Sequence, residues 1–144
     1  MSRIAEVIVL ARYADEVMEP LTRPDDSRDW QGRFERLHPF VEGWVIEFNH
    51  VRPRSGLLRY LEALAWPEPA SVQVLIHDEE DDCFGLWMIQ RGVLTEVPLP
   101  GHRRLYPPAP TTGAYPPDPG LLWRTEARVP PGFSIERQDP RPAW

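Results

Sequence analysis

"SVQVLIHDEEDDCFGLWMIQRGVLTEV", residues 71–97, decides the fold. Residues 71–77 alternate apolar and polar side chains as a half-buried strand does, 83–90 form a second β-rich run, and 93–97 a third. Gly92, in "QRGV", supplies the positive φ that a tight hairpin needs between the last two. Three strands joined by short turns define an antiparallel meander. Asp78, Glu79, Glu80, Asp81 and Asp82 fill the first of these turns. A strand arriving at Ile76 must reverse before it returns from Phe84, and adjacent like charges need water or a cation to screen them. The run lacks the alternating ligands and central glycine of an EF-hand. It reads first as a solvated turn, and otherwise as a partner-binding patch or a cation site.

Upstream, "RSGLLRYLEALAW" at 54–66 sets Leu57, Leu58, Leu61, Leu64 and Ala65 on one helical stripe. Ser55 suits the N-cap, and Pro67 and Pro69 end the helix. Before it, "EGWVIEFNHV" at 42–51 is a strand whose heavier face carries Trp44, Ile46, Phe48 and His50. A strand, a helix and a strand in succession imply two parallel strands joined by a right-handed crossover, with their C-terminal ends at one sheet edge. His50 and His77 then lie at that edge. If "IAEVIVLA" at 4–11, a strand apolar on both faces and so expected to be central, runs the same way, Arg12 and Tyr13 join them.

"ADEVMEPL" at 14–21 is a short helix with Asp15 and Glu16 at its positive end. The polar stretch 22–40, broken by Pro24, Gly32 and Pro39, reads as loop with one helical turn near 32–37. The order β-α-β-α-β-β-β predicts a single α+β domain, a mixed sheet with two helices on one face.

This core spans 1–97, and 98–144 is a proline-rich extension holding 12 of the 18 prolines. The extension is expected to pack along the core, with 121–129 adding a strand and Phe133, Ile135 and Trp144 pinning its end. Charge divides at the same place: −8 for 1–97 and +2 for 98–144. The net −6 opposes nonspecific nucleic-acid binding, which depends on cations that release counterions from phosphates, and it favours a basic protein partner. All 16 basic residues are Arg, which we read as codon bias in a GC-rich genome rather than a design for phosphate.

With 144 residues, 42% hydrophobic content and six Trp, the chain can bury one sizeable core. No apolar run is long enough to span a membrane, and the first one, broken by Glu6 and Arg12, makes a poor signal peptide, so a cytoplasmic protein is expected. Cys83 stands alone, with no neighbouring base to activate it, and is read as an inert thiol. GxSxG, P-loop and GxGxxG motifs are absent, and neither a cofactor nor a catalytic residue is assigned.

Three functional readings follow. The first is a small acidic protein-interaction module, an inhibitor or immunity-type protein that neutralises a more basic partner through Asp78, Glu79, Glu80, Asp81 and Asp82. Trp30 and Trp123, which fall outside the expected elements of the core, are its candidate anchors. The second is a metal-binding or hydrolytic enzyme using His50, His77 and Asp78. The third is an assembly subunit that docks through its proline-rich tail.

Overall fold

The computed structural model describes residues 4–49, 52–106, 120–134 and 144. A six-stranded sheet runs in the order β2-β3-β1-β4-β5-β6, built from β1 (Ala5–Leu10), β2 (Glu35–His38), β3 (Val41–Phe48), β4 (Gln73–Asp78), β5 (Gly85–Gln90) and β6 (Val93–Val97). Two helices, α1 (Asp15–Met18) and α2 (Leu57–Glu62), and a two-stranded sheet of β7 (His102–Leu105) and β8 (Leu121–Arg124) complete an α+β domain. No helix among the described residues is long and apolar enough to cross a membrane.

The meander β4-β5-β6 forms as its alternation requires, with Gly92 at φ +80° in the second turn. The strand at each end of the crossover needs a correction. β3 and β4 do run in the same direction, but β1 lies between them and pairs antiparallel with both, so every neighbouring pair in the described sheet is antiparallel. A strand apolar on both faces gains most from a position with hydrogen-bonded neighbours on either side, and β1 takes it. Because β1 runs the other way, Arg12 and Tyr13 lie at the opposite sheet edge from His77. Tyr13 adopts φ +57° there, its N–H donating to Glu42 Oε1 at 2.7 Å.

One face of the sheet makes the core. Ala5, Val7 and Val9 alternate inward on β1, opposite Phe48, Ile46 and Trp44 on β3 and, on the other side, Ile76 and Val74 on β4. Met18 from α1 and Leu57, Leu58 and Leu61 from α2 join the same buried cluster. Each such side chain contributes roughly 1.5–3 kcal/mol when fully buried. Trp30 belongs here too, 1% exposed and edge-on to Phe34 and Tyr60, so the core and not a partner receives it.

α2 is shorter than its apolar stripe. Gly56, at φ +80°, precedes it in the left-handed region with no side-chain cap, which displaces Ser55 from the expected N-cap role, and the Trp66 indole donates to Leu61 O at 2.7 Å beyond its end. Glu62 Oε2 accepts Leu94 N–H at 2.6 Å, which blunts the open edge of β6. β2 falls in the stretch expected to be loop. All four of its residues are exposed, so it carries no periodic signal and exists by pairing with β3.

Within the extension, 121–124 forms the expected strand, but its partner is β7 rather than the main sheet. Trp144 is buried edge-on to Phe48, with the Arg54 guanidinium 4.6 Å from its ring centre. Ile135 and the tail segments 107–119 and 135–143 lie outside the described residues.

Candidate functional site

The acidic turn bonds extensively within the molecule, although only Asp78 and Asp81 are buried. Asp78 ends β4 on its core face, 2% exposed, with Arg54 Nη1 3.4 Å from its Oδ2. Glu79 exchanges two bonds with Ile4, its N–H donating to Ile4 O at 2.8 Å and its Oε2 accepting Ile4 N–H at 3.1 Å. Glu80 O accepts the Trp123 indole N–H at 2.8 Å. Asp82 N–H donates to Leu122 O at 2.9 Å, and its Oδ2 accepts Arg124 N–H at 2.7 Å. The turn therefore serves as the dock for β8, whose backbone groups on the edge away from β7 would otherwise be left without partners.

Asp81 is the centre of this dock. Its Oδ1 accepts Leu122 N–H at 2.6 Å, its Oδ2 accepts Asp78 N–H at 3.0 Å, and Arg104 Nη1 lies 3.9 Å away. Burial pushes its carboxyl up to about 6, against the opposing pull of Arg104 and of the two N–H donors. Arg104 in turn donates through Nε to Glu96 Oε1 at 2.8 Å and stacks 4.9 Å from the centre of the Trp87 ring. Gly85 makes that possible: a Cβ there would stand 2.5 Å from Arg104 Nη2. Asp82, by contrast, is held below the usual carboxylate range, chiefly by the Arg124 N–H. The Cys83 thiol is raised by burial and by Asp81 and Asp82, the environment of an unreactive sulfur.

Of the residues assigned to a metal, the two described ones, His77 and Asp78, do not converge. His77 and Asp78 are consecutive on a strand and project to opposite faces. The His77 ring stacks on Phe84 at 4.8 Å, and its Nε2 lies 3.1 Å from Asp81 O, an acceptor only, so that nitrogen carries the proton. His50 lies outside the described residues. Among the described residues no group of three His, Cys, Asp or Glu side chains is placed to hold a metal ion. Trp123, half-buried, packs on Phe133 at 5.5 Å as well as bonding Glu80.

The sheet face away from the core carries a pattern that no single segment displays. Val45, Ile8, Leu75, Leu86 and Val97 are register partners in turn, an apolar row across five strands, each side chain half-buried. On the neighbouring row Glu47 stands opposite Glu6, which stands opposite His77. Glu6 and Glu47 are exposed, and among the described residues neither has an ion-pair partner. Strand alternation places Glu79 on the same face beyond His77. Sequence reading missed this site because its members come from separate runs; only the register brings them together.

Comparison with family models, curated proteins and solved structures finds no match for the chain.

Proposed function

We propose that this chain is a small acidic protein-interaction module of the inhibitor or immunity type, which neutralises a more basic partner and engages it through the open face of the six-stranded sheet. The observation that carries the reading is the Glu6–Glu47 pair at the margin of the apolar row. Like charges directly opposite on neighbouring strands cost on the order of 0.2–1 kcal/mol. Folding gains nothing from keeping them, whereas a cationic side chain from a partner would compensate both. An apolar strip with a charged margin is the anatomy of a recognition surface: the strip supplies desolvation, and the charge speeds encounter and selects the partner. The −6 net charge of the chain acts in the same sense. The cytoplasm, where Cys83 stays reduced, is the compartment this reading assigns.

Affinity capture from the native host, read by mass spectrometry, should recover one basic protein. Its association with the Glu6→Gln/Glu47→Gln double variant should slow by about tenfold at low salt, with the difference vanishing as salt rises. Leu75→Arg, in the middle of the row, should abolish the complex while the unfolding transition persists. Recovery of no basic protein, or an association rate indifferent to the two carboxylates, would refute the proposal.

A further inference from the structure

On the far side of β6, where it meets β7 and β8, a cleft of about 290 Å³ brings two Arg side chains together. Leu99, Tyr106 and Leu122 give it apolar walls, and Glu96, His102, Arg103 and Arg104 its polar groups. Arg104 is committed to Glu96 and, at longer range, to Asp81. Arg103 is not. It enters no ion pair among the described residues, and its Nε is shut off from solvent without a hydrogen-bond partner. His102 Nδ1 lies 3.1 Å from Pro100 O, which fixes the proton of the neutral ring on Nδ1 and leaves Nε2 for another partner.

Glu96 and Asp81 are both engaged by Arg104, so Arg103 is, among the described residues, the cleft's cation without a counterion of its own. A guanidinium N–H shut off from water without an acceptor is unfavourable, and the planar guanidinium fork matches a carboxylate bidentately. Apolar walls add a second requirement: the anion must bring an apolar body to cover them. The volume falls just below the roughly 300–1,000 Å³ of ligand pockets, too small for a nucleotide and suited to a single ring or a short branched chain.

We propose that the cleft between β6, β7 and β8 is a binding site for a small organic carboxylate, its charge paired with Arg103 and its apolar body against Leu99, Tyr106 and Leu122. The site is separate from the open sheet face and independent of the partner proposed for it.

The test is calorimetric titration of the full chain with phenylacetate, alongside its neutral isostere phenylacetamide and inorganic phosphate. Phenylacetate should bind saturably at millimolar concentration, and the amide and phosphate at least about tenfold more weakly. Arg103→Gln should weaken phenylacetate by a similar factor, while Arg33→Gln, at an exposed Arg paired with Glu35, should not change it. Leu99→Trp, which fills the cleft and leaves Arg103 in place, is the second variant and should abolish binding with the thermal transition retained. Absence of saturable binding, equal binding of the amide, or retained affinity in either cleft variant would overturn the site. Phosphate binding as tightly as phenylacetate would overturn its assignment to an organic carboxylate.

Discussion

Asp81→Asn should change the pH dependence of folding more than folding itself. The folded protein raises this carboxyl from its ordinary 3.8 to about 6, chiefly by burial, so the native state holds the proton more tightly than the unfolded chain does. The stabilisation from that proton is fully present below about pH 4 and is lost as pH rises through 6. Its full span is about 3 kcal/mol, from about 1.4 kcal/mol for each pH unit between the two values. Asn cannot titrate, and its amide nitrogen must face one of the two N–H groups, Leu122 or Asp78, that the carboxylate oxygens accept. One buried donor then goes unmet, at about 1–3 kcal/mol.

At pH 4 the variant should therefore be less stable than the wild type by that amount, and near pH 7 the wild type's loss should bring the two level or reverse their order. Urea unfolding followed by Trp fluorescence at pH 4, 5, 6 and 7 measures both proteins, and subtraction removes the other carboxylates, which titrate in each. A wild-type-minus-variant difference that stays constant from pH 4 to 7 would refute the assignment of Asp81 as a carboxyl destabilised by its own charge.

Two further predictions concern the packing around the dock and the cost of the recognition face. Gly85→Ala would drive a methyl group into Arg104 Nη2, at 2.5 Å, and Trp87 Cζ3, at 2.9 Å, so the Arg104–Glu96 pair must shift. A loss of about 1–3 kcal/mol in chemical denaturation is expected, with faster amide exchange at Leu122. Glu47→Gln should do the reverse, raising stability by about 0.2–1 kcal/mol at low salt because it relieves the opposed Glu6, while it weakens the partner complex.

Much of the secondary structure was legible because it rests on local periodicity. The alternation in 71–77, the turn at Gly92 and the leucine stripe at 57–61 each place apolar groups at a period that only one kind of backbone can bury. β2 was not legible, since four exposed residues carry no such period and owe their conformation to hydrogen bonds from β3. The acidic run was legible as a turn but not as a dock. What occupies its Asp81 and Asp82 carboxylates and the Glu80 carbonyl is Leu122, Arg124 and Trp123, some forty residues further along the chain, and no local pattern encodes a contact at that distance.

By itself, then, the sequence determined an acidic α+β body with a three-stranded meander, because composition and short-range alternation are properties of the chain. Tertiary structure decided where the charges went. By inserting β1 between β3 and β4 it set Glu6 against Glu47 and aligned Val45, Ile8, Leu75, Leu86 and Val97 in one row. It also drew Asp78 and Asp81 out of water while leaving Glu79, Glu80 and Asp82 exposed. The reason is that burial and pairing depend on which strands become neighbours, and strand order is chosen by the most favourable total of core packing and satisfied backbone, a property of the whole molecule.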